Sequence, residues 1–228
     1  MAKKTIFSSE STLSQQCYEQ LQNEIIEGIL KPGQKLKVTP IKERFNIGQS
    51  PVREALSRLA SFGLVEIENN KGFRVSTISE ADIRDTYNTF TQIENMALSL
   101  AIEHGGIDWE ISIIAELHKL SLLENKKEFD SYAQWAECNY NFHVALIAGC
   151  NSPTLLDIRR NLYIKFDRYC RMAYQIYKHE LPVNNQEHTK IAQAVLKRDK
   201  QTAQKLMTYH INGAIEDVVR NFKKNSLI

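Results

Sequence analysis

Between Gly48 and Val75 the chain reads GQSPVREALSRLASFGLVEIENNKGFRV, and few folds accommodate that order of signals. Ser50 is a preferred N-cap, and Pro51 suits the first helical position, where a missing N–H costs nothing. Val52, Ala55, Leu56, Leu59 and Phe62 recur at helical spacing as one apolar stripe, with Arg53, Ser57, Arg58 and Ser61 mostly off it. Gly63 ends the helix at low cost, because glycine enters the left-handed conformation freely. Val65 and Ile67 then alternate with Glu66 and Glu68. Asn69 to Gly72 supplies a turn, and Phe73 and Val75 resume the alternation. The pattern predicts a two-stranded hairpin directly behind a short amphipathic helix.

Arginines on the outer face of one helix usually mark a solvated surface. The segment upstream changes the reading of Arg53 and Arg58. A short helix from about Thr39 to Asn46, with Thr39 as cap and Pro40 after it, places Ile41 and Phe45 one turn apart. Ile47-Gly48-Gln49 then forms a tight turn into the Ser50 helix. Two short helices, a glycine-containing turn and a basic second helix make a helix-turn-helix, whose second helix enters a DNA major groove. The hairpin makes it winged.

The stretches IIEGILKPGQKL, SPVREALSRLASFGLVEI and NKGFRV, within about Tyr18 to Val75, resemble the winged helix of the GntR family of bacterial transcription regulators. The resemblance implies a homodimer on a palindromic double-stranded operator. Gln49, Ser50 and Arg53 would lie nearest the bases, Arg58, Lys42 and Thr39 along the backbone, and the Asn70-Lys71-Gly72 wing tip near the minor groove. Members of this family commonly carry an arginine two residues before the proline. Here that position is Gln49, whose amide suits the adenine edge better than the two acceptors of guanine.

A chain of 228 residues, 43% hydrophobic, is long enough for two modest domains with their own cores. Net charge is only +2, but its distribution is uneven: residues 1–78 hold 11 Lys and Arg against 8 Glu, and residues 31–75 hold 9 against 4. That is a mild basic patch of the kind that meets phosphates. Cys17, Cys138, Cys150 and Cys170 show no CxxC pairing, and no secretory or membrane segment is evident, so a reduced cytoplasmic setting is expected.

After Val75 the sequence changes character. No proline occurs between Val52 and Ser152, and apolar residues recur at helical spacing with short breaks. Six helices are expected: about Glu80 to His104, Trp109 to Leu123, Tyr132 to Ala148, Pro153 to Tyr177, Glu187 to Lys197 and Thr202 to Phe222. The fold class is therefore mainly α, with a winged helix-turn-helix over 1–78 followed by an all-α bundle over 79–228.

Six histidines punctuate that bundle. His104, His118 and His179 read as ordinary core or surface residues, and Cys138 as a packing residue. Asn139 and His143 share one helix face, one turn apart, while His188 and His210 sit on two later helices. Ligands from three helices converging in a bundle would make a transition-metal site, although spacing alone does not establish convergence.

NYNFHVALIAGCNSPTL, EHTKIAQAVLKRD and AQKLMTYH resemble the FCD domain of the FadR-like branch of the GntR family. There an Asp or Asn four residues before the His of an F-H pair, with two later histidines, binds a divalent metal. The positions that match are Asn139, His143, His188 and His210. The resemblance implies zinc or nickel, and a small carboxylate effector bound near it, such as the dicarboxylate glutarate. Asn139 brings a neutral oxygen where many relatives bring a carboxylate, which leaves the site more positive toward an anion. Relatives often place an arginine four residues before the glutamate of the first bundle helix; here Phe90 precedes Glu94 at that spacing. Arg168 and Arg171, with Tyr169 between them, are the candidates to replace it, against the alternative of a solvated face with Lys165.

Two other classes remain to be weighed. The metal could be structural or itself the signal, with no organic effector. An enzyme is disfavoured, since HExxH, a nucleophile motif and a glycine-rich phosphate loop are all absent from the sequence.

Overall fold

Thr12 accepts the backbone N–H of Gln15 at 3.1 Å and so caps the first helix of the computed structural model, which describes residues 12–68, 72–126, 132–176 and 185–228. Contacts divide the chain into two units, Met1–Ser79 with Asp167–Met172, and Glu80–Phe166 with Ala173–Ile228.

In the first unit the order is α1 (Leu13–Ile26), β1 (Lys35–Leu36), α2 (Val38–Phe45), α3 (Gln49–Ser61), β2 (Val65–Glu68) and β3 (Gly72–Val75). The apolar stripe of α3 packs on α1, and Leu21, Ile25, Val52, Leu56 and Leu59 are fully buried there. Each such side chain contributes roughly 1.5–3 kcal/mol when withdrawn from water. The strands form one antiparallel sheet in the order β1-β3-β2, with Val65 opposite Val75 and Ile67 opposite Phe73. Gly63 is left-handed (φ 70°), as the helix stop requires. Left-handed Asn46 (φ 52°) ends α2 and opens the turn into α3.

Both helix starts differ from expectation. Gly48, not Ser50, is the N-cap of α3, and Lys37, not Thr39, that of α2; neither makes a side-chain cap. Pro40 and Pro51 therefore fall at the third helical position. The whole first turn of a helix has unpaired amides, so proline fits anywhere within it and does not fix the first residue. The strand β1 was also not expected, because two residues are too few to show alternation.

The second unit holds the six expected helices: α4 (Glu80–His104), α5 (Ile107–Lys126), α6 (Tyr132–Ile147), α7 (Pro153–Ile176), α8 (Asn185–Leu196) and α9 (Lys200–Lys224). A short 3-10 turn, Ala148–Cys150, follows α6. Gly105, between α4 and α5, lies so close to Trp109 that a Cβ there would sit 2.2 Å from the indole. The indole N–H in turn donates to the carbonyl of Ala145 at 2.8 Å, which ties α5 to α6. Arg198 caps the C-terminal end of α4, donating to the carbonyls of Ile102 (2.7 Å) and Gly105 (2.8 Å). Asn95 donates to Thr208 at 2.7 Å across the extensive packing of α4 on α9. Among the described residues no helix is long and apolar enough to cross a membrane.

Candidate metal centre and nucleic-acid interface

His143 on α6, His188 on α8 and His210 on α9 converge, each offering a ring nitrogen so that all three lie within 4.8 Å of one another. His188 is fully buried and His143 nearly so. Each ring presents its Nδ1 to a glutamate. His210 Nδ1 donates to Glu187 at 2.8 Å, His188 Nδ1 lies 3.3 and 3.4 Å from the two oxygens of Glu124, and His143 Nδ1 lies 3.9 Å from Glu94. A carboxylate on one nitrogen fixes the tautomer and leaves the other as a basic lone pair, the arrangement of metal-bound histidines.

The remaining donors fit a cation. His188 Nε2 and Asn139 Oδ1 are shut from solvent and have no hydrogen-bond partner among the described residues. Buried polar atoms are rarely left so, and a metal would satisfy both. Burial, reinforced by His210, His188 and Arg159, holds the His143 imidazole well below its ordinary range; burial also lowers His188, against the opposing pull of Glu124. Both rings are therefore neutral near pH 7, the form that ligates. Zinc and nickel both accept such a set of imidazoles with one amide oxygen.

Three carboxylates that the sequence reading did not single out complete this region. Glu94 is fully buried and takes Arg159 in a two-pronged pair, from Nε at 2.8 Å and from Nη2 at 3.2 Å. Glu124 also accepts the indole N–H of Trp135 at 3.2 Å. The signal for Arg159 was present in the sequence: it falls between Leu155, Leu162 and Phe166 at helical spacing, a charge on an apolar face.

The expected effector trio stands elsewhere. Asp167–Met172 groups with the first unit, where buried Arg168 donates to the carbonyl of Ser76 at 2.8 Å. Tyr169 is fully buried, and Arg171 donates to Asp167 at 2.8 Å. These residues thus answer to backbone and carboxylate partners of their own, whereas the histidines belong to the second unit. The solvated-face alternative does not hold for Arg168 either, because it is 1% exposed.

On the first unit, Thr39, Lys42, Gln49, Ser50, Arg53 and Gly72 are exposed. Arg58 is occupied differently from expectation: its guanidinium lies 4.0 Å over the ring of Tyr18 and donates to Gln15, fastening α3 to α1. Arg44 similarly pairs with Glu24 of α1. Lys71, Asn70 and His179 lie outside the described residues.

The family model for bacterial regulatory proteins of the gntR family matches residues 13–75, and that for the FCD domain matches residues 85–213. The HTH-type transcriptional repressor GlaR of Escherichia coli (strain K12) is 35% identical over 201 residues, covering 85% of this chain and 90% of that one. The HTH-type transcriptional repressor RspR of the same organism is 28% identical over 99% of this chain and 97% of its own. The solved structure of E. coli McbR/YncC superposes with a TM-score of 0.74 at 21% identity, over 93% of this chain and 99% of that one, which speaks for the fold. These domains and relatives are those of regulators rather than enzymes. With both halves matched in sequence and fold, the chain belongs to the GntR family of bacterial transcription regulators, in the FadR-like branch that carries an FCD domain.

Proposed function

We propose that the protein is a cytoplasmic transcriptional repressor whose operator affinity is set by a small carboxylate bound beside a divalent metal. The observation that carries this reading is the convergence of His143, His188 and His210, each with a glutamate at Nδ1. Asn139 is the fourth protein ligand, and zinc or nickel the metal. When bound, the metal supplies positive charge that draws a carboxylate into an otherwise low-dielectric interior. The similarity to GlaR and RspR, both named as repressors, supports the sign of the response.

Residues 1–78 read DNA and residues 79–228 hold the effector. Gln49, Ser50 and Arg53, exposed at the start of α3, face the bases; Thr39 and Lys42 on α2 contact phosphates, and Lys71 and Gly72 of the wing reach the adjacent minor groove. Two copies bind a palindromic operator. Support for self-association comes from α5, where Ile107, Ile111 and Ile114 form a stripe 76%, 58% and 55% exposed. An effector that binds one arrangement of the dimer better than the other shifts operator affinity by that difference.

The test is an operator titration with and without chelator, and with a panel of small carboxylates that includes glutarate. Carboxylate-dependent release that disappears on metal removal and in His143→Ala is the expected result. Operator affinity that follows zinc or nickel concentration alone would replace the carboxylate by a sensed metal. Stability that depends on metal while operator affinity ignores both would make the metal structural.

A further inference from the structure

We infer that Arg159 is the residue that grips the effector carboxylate, which transfers to α7 a role that relatives often give to an arginine on α4. The inference rests on the carboxylate reading above. Four observations on this chain support it.

First, Arg159 is 2% exposed, and its Nη1 is buried without a hydrogen-bond partner among the described residues. A guanidinium carries five N–H donors in a fixed fork, and leaving one end unmade in the interior is costly. Second, that free end is held in position. Glu94 fixes Nε and Nη2, while Phe90, Tyr140 and Tyr163 surround the guanidinium carbon at 5.2, 5.3 and 5.0 Å. Third, the same Glu94 carboxylate reaches to 3.9 Å from His143 Nδ1, so a single carboxylate separates Arg159 from the histidine cluster. Tyr140 follows Asn139 directly on α6. Fourth, Phe90 is buried beneath the Arg159 guanidinium. The substitution at that position therefore supplies a platform for the arginine opposite it.

A carboxylate has two oxygens, so it can meet the metal with one and Arg159 Nη1 with the other. The guanidinium fork suits that task better than an ammonium, since its donors are planar and preset. Glu94 orients Arg159 and offsets its charge, so that the buried arginine tolerates the effector-free state.

The experiment uses the full chain loaded with zinc, and with cobalt(II) as a spectroscopic substitute. Acetate, succinate and glutarate are the probes, and the two diamides of the dicarboxylates are uncharged controls. Arg159→Lys keeps the charge without the fork. The double variant Glu94→Gln with Arg159→Gln removes both charges together, so that no lone buried charge is left to unfold the protein. Elemental analysis is expected to return wild-type metal content in both variants. Calorimetry is expected to show a carboxylate affinity lowered by at least about tenfold in the double variant, with a smaller loss for Arg159→Lys. The carboxylate-induced change in the cobalt visible bands should need a correspondingly higher concentration, and the diamides should do nothing. Unchanged carboxylate affinity in both variants would overturn the inference and leave the proposed function standing. Loss of metal from both would make Arg159 a support of the metal site and overturn it too. A metal-loaded wild type that answers to none of the carboxylates would remove the carboxylate reading, and this inference with it.

Discussion

Glu124 offers the sharpest separation between a packing residue and a support for the metal. Its carboxylate is buried, lies 3.3 and 3.4 Å from His188 Nδ1, and accepts the Trp135 indole N–H at 3.2 Å. Two donors thus share two oxygens. In Glu124→Gln the side chain keeps its shape but has one oxygen, and its amide nitrogen faces one of the two donors. The negative charge that raises the basicity of His188 is also lost. Changes of this kind, one step removed from the metal, typically lower metal affinity about tenfold to a hundredfold. That range corresponds to about 1.4–2.8 kcal/mol. At a fixed saturating zinc concentration the stabilisation conferred by metal falls by the same amount, because binding stabilises the folded state logarithmically in the ratio of concentration to Kd. For a chain of this size the metal-dependent rise in Tm should shrink by about 3–11 °C. The assay is a competitive zinc titration against a chromophoric chelator, paired with thermal melts of the metal-free and metal-loaded protein. If Glu124→Gln lowers the metal-free Tm while zinc affinity and the metal-dependent increment stay at wild-type values, Glu124 serves Trp135 alone. The reasoning about His188 would then be wrong.

Three further outcomes are expected. Gln49→Arg should shift the preferred base at one symmetric operator position from adenine toward guanine, worth about 1–3 kcal/mol of discrimination; identical consensus sequences from a binding-site selection would show that residue 49 touches no base. Gly105→Ala should destabilise the second unit by about 1–3 kcal/mol in a urea titration, because the added Cβ would lie 2.2 Å from Trp109 and 2.7 Å from the Ala101 carbonyl; an unchanged midpoint would mean that the α4–α5 corner yields freely. The metal-free protein should lose stability as pH falls below about 6.5. Burial and neighbouring positive groups hold His143 and His188 below that value in the folded state, so the unfolded chain takes up protons first. Melts across that range that show no decline, or a His143→Gln variant with an equal slope, would contradict the assignment of neutral buried rings.

Local patterns carried far in this chain because each element announces itself through its neighbours in sequence. The stripe from Val52 to Leu59, the glycine at 63 and the alternation on either side of the wing were enough to place α3, β2 and β3. The span Glu80 to His104 was legible to the residue, since a capped start and a Gly-Gly stop bracket an unbroken helical period. The helix starts at 37 and 48 were not, since proline in a first turn is compatible with several registers.

What the sequence could not specify was which side chains meet. Asn139 and His143 share a face by helical geometry alone, but the approach of α8 and α9 that brings His188 and His210 to them depends on packing between helices far apart in the chain. The same holds for charge. Arg58, Arg159 and Arg168 look alike as basic residues on amphipathic helices. Tertiary contacts send the first to Tyr18, the second to Glu94 and the third to the Ser76 carbonyl. Periodicity is a property of one helix and can be read from its own residues. The partner of a buried charge is set by whichever element packs against it, because an ion withdrawn from water must be paired there.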